Sequence, residues 1–168
     1  MPQYKQIDNI DQNTISPKAT TVLSKGCIYI AIGGNHHFEL CNVVTKISMA
    51  LSDFELAGIK IRSVSRFFST PCFPAGAGPD FVNAVVSINW HGDADSLLCE
   101  LQALEARHGR ERSQRWGQRT LDLDLIAMGT SVLPDVKEFS RWRDLPLDRQ
   151  LVESPKKLIL PHPRLQDR

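Results

Sequence analysis

Apolar residues recur along this chain in two different periods, and the switching between them predicts a fold before any single residue stands out. Cys27–Ile32 is an unbroken apolar run that meets Gly33-Gly34-Asn35, the pattern of a buried strand running into a tight turn. From Glu39 to Phe54, the residues Leu40, Val43, Val44, Ile47 and Leu51 keep helical spacing. Ile59–Phe68 is rich in β-branched and aromatic residues and predicts a second strand. Prolines and glycines make Ser69–Asp80 a loop. Phe81–Trp90 then alternates, with Val82, Ala84, Val86, Ile88 and Trp90 on one face and Phe81, Asn83, Val85 and Ser87 on the other. A second helix is predicted over Asp93–His108. Leu97, Leu98, Leu101 and Leu104 form its stripe, Asp93 and Asp95 lie near its start, and Gly109 ends it. A basic loop, Arg110–Gln118, leads into a predicted strand over Thr120–Met128.

Strand, helix, strand, strand, helix, strand is the split βαβ order of ferredoxin-like folds. The expected class is α+β, an antiparallel sheet with both helices packed on one face. Beyond it, Val136, Phe139 and Trp142 predict one short helix, and Leu158–Leu160 a short strand before Pro161-His162-Pro163. Residues 1–26 are polar and without period, so a disordered tail is expected there, with a single domain over residues 27–168.

Composition changes little in this picture. A chain of 168 residues, 42% apolar and 23% charged, suits one soluble domain. Its net charge of +1 argues against any global attraction to nucleic acid or membrane, so a basic site must be local. Cys27, Cys41, Cys72 and Cys99 have no CxxC or zinc spacing and are expected to be reduced thiols, mostly filling the core. No apolar run is long enough to span a bilayer and the N-terminus does not resemble a signal peptide, so the cytoplasm is the expected location.

The chemistry concentrates around one strand. Asp122 and Asp124 are two apart, so their carboxylates leave the same face while Leu121, Leu123 and Leu125 turn into the core. Acids this close repel unless a cation joins them, and magnesium shared with substrate phosphates suits the pair. The alternative is a solvated strand face. Directly upstream, Arg110, Arg112, Arg115 and Arg119 supply the forked donors that grip phosphate oxygens; they could equally neutralise Glu105, Glu111 and the aspartates. Trp116 covers a base or braces its loop. Gln102 and Glu105 lie on the helix face away from Leu101 and Leu104, either as nucleotide contacts or as plain polar surface. Phe73, Phe81 and Asn83 suit a flat heterocycle between two rings, or core packing. His162, held between prolines, is a phosphate donor or a surface histidine. His36-His37 lacks a third ligand, and Gly33-Gly34 lacks the ending of a phosphate-binding loop and reads as a plain turn.

Taken in order, Tyr29–Asn35 (YIAIGGN), Phe81–Ala84 (FVNA), Gly109–Arg112 (GRER), Arg115–Asp124 (RWGQRTLDLD) and Pro161-His162 resemble the 6-hydroxymethyl-7,8-dihydropterin pyrophosphokinases (HPPK) of folate biosynthesis. The resemblance implies transfer of pyrophosphate from ATP to the pterin hydroxymethyl group, with release of AMP. It implies that Asp122 and Asp124 bind two magnesium ions and that Arg110, Arg112, Arg115, Arg119, His162 and Arg168 hold phosphates. Leu98, Gln102, Glu105, Trp116 and Leu125 would line the nucleotide site. Thr70, Pro71, Phe73, Phe81 and Asn83 would form the pterin pocket, which Asp122 also reaches. The loops Thr70–Asp80 and Gly109–Gln118 would close over the substrates. ATP and the pterin are the expected partners, no nucleic acid or membrane is expected, and the next enzyme of the pathway is a candidate partner.

The chain departs from the family pattern in three places. Gln118 stands where proline is usual, residues 135–157 look inserted, and the chain stops at Arg168, ahead of an aromatic and a strand that members usually carry. From the last departure, a missing C-terminal strand and weakened pterin binding are expected. Two other readings stay open: a catalytically impaired relative kept as a binding or scaffold protein, and a ferredoxin-like RNA-binding module using the basic loop.

Overall fold

The computed structural model of the chain describes residues 5–6, 26–35, 40–72, 78–110 and 119–165. Among them the elements run β1 (Lys5–Gln6), β2 (Ile28–Gly34), α1 (Leu40–Phe54), β3 (Lys60–Val64), β4 (Phe68–Thr70), β5 (Phe81–Asn89), α2 (Ala94–Arg107), β6 (Asp122–Met128), α3 (Val136–Arg143) and α4 (Leu147–Val152). Alternation decides which way the strands face. In β2, Ile28, Ile30 and Ile32 are buried and Tyr29 is exposed; in β5, Val82, Ala84, Val86 and Ile88 are buried and Val85 is exposed. The buried rows meet Val43, Val44, Ile47, Leu51 and Phe54 of α1 and Leu97, Leu101 and Leu104 of α2 in one core. The two helices therefore cover the same face of the sheet.

The strands pair antiparallel in the order β1-β4-β5-β2-β6, with β3 also on β5. Apart from the outer β1, this is the expected ferredoxin-like arrangement. The predicted strand Ile59–Phe68 is broken in two. A register shift between Ile61 and Ser63 precedes the break, and Ser65 bridges it by exchanging hydrogen bonds with the Val85 backbone at 2.9 Å. Lys5 and Gln6, in the stretch expected to be a tail, pair with Ser69 and Phe68. Gly33 and Gly34 do not form a turn. They extend β2 and are paired with β5, and Gly33 with β6 as well.

Helix α2 begins where Asp93 accepts from the Ser96 backbone at 2.8 Å. Past its end, Gly109 has a left-handed φ of 78°, as a helix stop requires. After β6, the helix predicted around Val136, Phe139 and Trp142 is α3, an unpredicted second helix, α4, follows it, and the predicted strand Leu158–Leu160 is a single bridge, Leu133 to Leu160. Cys27, Cys72 and Cys99 are free thiols as expected, but of these only Cys72 fills the core; Cys27 and Cys99 are exposed. No helix among the described residues is long and apolar enough to cross a membrane.

Candidate active site

Strand β6 lies at the edge of the sheet, with Leu123 and Leu125 buried against the helices and Asp122 and Asp124 on the opposite face. Asp122 is itself buried. Its Oδ2 accepts from Arg119, and its Oδ1 lies 2.6 Å from Arg110 Nη1 but receives no aligned hydrogen bond from the described residues. Burial, and then the neighbouring Asp124 carboxylate, push the Asp122 carboxyl above its ordinary pKa, against the downward pull of Arg119 and Arg110. Thr120 Oγ1, two residues upstream, is likewise buried without a hydrogen-bond partner among the described residues. Two under-satisfied oxygens beside a crowded carboxylate pair suit a hard divalent cation.

Glu105 is not on a polar helix surface. It is buried at 2% exposure, and Oε1 accepts from Arg110 Nη1 and, at 2.8 Å, from the Leu123 backbone at the sheet edge. Its position four residues after Leu101 puts it on the apolar face. Arg110 is thus clamped between Glu105 and Asp122.

Two residues with no predicted role organise the surroundings. Asn35, 3% exposed, accepts from the Arg119 backbone at 2.9 Å, donates its own backbone N–H to the Arg119 carbonyl at 3.0 Å and donates Nδ2 to Pro79 at 3.2 Å. It ties the start of β6 to the loop ahead of β5. Gly33 sits directly opposite both Asn83 and Asp122, so the three form one row across the outer face of β5, β2 and β6. A methyl group on Gly33 would lie 1.9 Å from Asn83 Oδ1 and 3.0 Å from the Val82 carbonyl. Only glycine lets the Asn83 amide lie across the sheet toward Asp122. Asn83 in turn donates to Thr70 Oγ1 at 2.7 Å, and Thr70 pairs with Phe81.

The expected residues therefore form two groups on either side of the acid pair. Thr70, Phe81 and Asn83 gather around β4 and β5, with Pro71 exposed beside them. Leu98, Gln102, Leu125 and His162 line a cavity of about 500 Å³ together with Arg110, Arg119 and Asp124. His162 is placed by its backbone N–H, which donates to Ile126 at 2.7 Å. Phe73, Arg112, Arg115, Trp116, Gln118 and Arg168 lie outside the described residues.

Fold and site define a class: an α+β domain whose edge strand carries an acid–arginine cluster beside a polar cavity, which suits a polyphosphate with its cation. Residues 29–168 match the 7,8-dihydro-6-hydroxymethylpterin-pyrophosphokinase (HPPK) family, and the chain belongs to it. A Haemophilus influenzae protein named 2-amino-4-hydroxy-6-hydroxymethyldihydropteridine pyrophosphokinase is 36% identical over 106 residues, which cover 62% of this chain and 64% of that protein. Proteins of the same name from Synechocystis and Pseudomonas aeruginosa are 30% and 39% identical over 157 and 108 residues. These matches cover 92% and 63% of this chain, and 68% and 64% of those proteins. The chain thus spans about two thirds of the length of these relatives.

Proposed function

We propose that this chain transfers the pyrophosphoryl group of ATP to the hydroxymethyl oxygen of 6-hydroxymethyl-7,8-dihydropterin. The oxygen attacks the β-phosphorus and loses its proton; the bond from that phosphorus to the α–β bridging oxygen breaks, and AMP departs with the electron pair. The observation that carries this reading is the Asp122–Asp124 pair on β6, with Arg110 and Arg119 on Asp122 and Asn83 in the same cross-strand row. When bound, magnesium, two ions in this reading, supplies charge neutralisation along the triphosphate, and Asp122 and Asp124 hold it.

The remaining work is positional. Arg110, Arg112, Arg115, Arg119, His162 and Arg168 hold phosphates, Arg110 and Arg119 exchanging their pairing with Asp122 for phosphate oxygens. Leu98, Gln102, Trp116 and Leu125 line the nucleotide site, with Glu105 acting from beneath through Arg110. Thr70, Pro71, Phe73, Phe81 and Asn83 receive the pterin. The protein works in the cytoplasm, in sequence with the next enzyme of folate synthesis. An RNA-binding module would present several aromatics on the open sheet face; among the described exposed large apolar residues, Tyr29 is the aromatic one.

The test is AMP release on mixing the protein with ATP, magnesium and the pterin. Pterin-dependent AMP is expected; ADP as product, or AMP independent of pterin, would overturn the reading. Gly33→Ala provides a second check. With its methyl displacing Asn83, the variant should bind pterin about tenfold more weakly, while its affinity for a non-hydrolysable ATP analogue stays within about threefold. Equal pterin affinity in calorimetric titration would remove Asn83 from the acceptor site.

A further inference from the structure

The segment at residues 135–157 has no role in the reaction as derived so far, yet it forms one wall of the cavity beside Asp124. Trp142, Glu153 and Lys156 line that cavity together with Gln102 and Arg110. The wall is held in place at several points. Leu133 and Leu160 exchange backbone hydrogen bonds at 2.9 and 3.2 Å, and Arg164 Nη2 donates to the Gln150 carbonyl at 2.7 Å, tying α4 to the segment that carries His162. The Trp142 ring is oriented too. Its Nε1 donates to Glu138 at 2.9 Å, and the Arg141 guanidinium lies 5.3 Å from the ring centroid. The half-buried Trp142 also lines a second cavity of about 490 Å³, which shares Glu153, Lys156, Lys157 and Ile159 with the first.

A ring held this way has spent its polar atom inside its own helix, so what it can give a ligand in the cavity it lines is apolar carbon and π surface. Those features suit a flat aromatic ligand. Thr70, Phe81 and Asn83 do not line this cavity, so the ligand on this side is the nucleotide and not the acceptor. We propose that residues 135–157 are the outer wall of the nucleotide site and that Trp142 contacts the purine of ATP. This rests on the reading of the cavity as the nucleotide site.

The experiment is calorimetric titration of α,β-methylene-ATP, and separately of inorganic triphosphate, each with magnesium. The proteins are wild type, Trp142→Ala, Trp142→Phe and Asp124→Ala. Trp142→Ala should bind the ATP analogue about tenfold more weakly, Trp142→Phe should stay within about threefold of wild type, and both should bind inorganic triphosphate as wild type does. Asp124→Ala should lose affinity for both ligands. Wild-type affinity of Trp142→Ala for the analogue overturns the inference and leaves the site reading standing. Equal weakening toward the analogue and triphosphate also overturns it, because the loss would then not involve the base. Unchanged binding of both ligands to Asp124→Ala, or no binding of the analogue to wild type, overturns the site reading and this inference with it.

Discussion

Asp124→Ala is expected to lower pterin-dependent AMP release about a thousandfold while leaving the thermal midpoint at or above that of wild type. In the proposed reaction the loss follows from removing one of two carboxylates assigned to the triphosphate cation, a change that would act directly on transition-state charge. The retained stability follows from the electrostatics of the pair. Asp124 is one of the causes that raise the Asp122 carboxyl above its ordinary pKa, so deleting it relieves a repulsion beside a buried charge. Asp122→Asn is the companion variant. It preserves shape, removes the charge that Arg110 and Arg119 face, and should lose activity to a similar extent. Near-normal AMP release from either variant would remove the acid pair from the chemistry. Inactivity with a collapsed melting transition would point instead to a structural role.

Glu105→Ala is expected to cost roughly 2–4 kcal/mol of folding stability in urea denaturation. One buried oxygen serves two donors, the Arg110 guanidinium and the outward-facing Leu123 N–H at the sheet edge. Deleting it leaves the Leu123 N–H without its acceptor, strips Arg110 of one of its two carboxylate partners and opens a void beneath β6. Glu105→Gln keeps an acceptor for Leu123 and weakens the contact with Arg110, so its cost should be about half as large. Activity should fall in both variants, because Arg110 loses the partner that holds it beside Asp122. A Glu105→Ala protein within about 0.5 kcal/mol of wild type would mean that water replaces the carboxylate, and Glu105 would then be a surface residue in effect.

The residues behind these two predictions differ in how legible their placement is in the sequence. The acid pair was legible because strand period is a local property: two positions apart means one face, whatever the strand pairs with. The helices and β5 were legible for the same reason. Glu105 was visible in principle, four residues after Leu101, but a carboxylate on an apolar stripe invites assignment to the surface until a partner is seen. Asn35 left no local signal, since its partners Pro79 and Arg119 are 44 and 84 positions away. Gly33 and Gly34 looked like a turn because glycine marks permissive backbone without saying what approaches it. Here it is the Asn83 side chain and the Thr120 carbonyl. The cross-strand row needs the register of three strands at once, and no single stretch of sequence carries that. The segment at 135–157 reads as an insertion in the sequence, but its place against the cavity depends on bridges from Leu133 to Leu160 and from Gln150 to Arg164.

The row Asn83–Gly33–Asp122 makes the sheet a gauge. Asn83 and Asp122 stand on strands two steps apart, which sets their backbones roughly 10 Å from each other at the usual interstrand spacing. The middle position has no side chain that could be swapped to lengthen or shorten that span. Changing it requires a register slip, and a slip by one residue would turn Asp122 into the core and Leu123 out to the site. In the proposed reaction, acceptors with a longer or shorter arm between ring and hydroxyl would therefore meet a fixed calibration, set by the backbone hydrogen bonds of three strands.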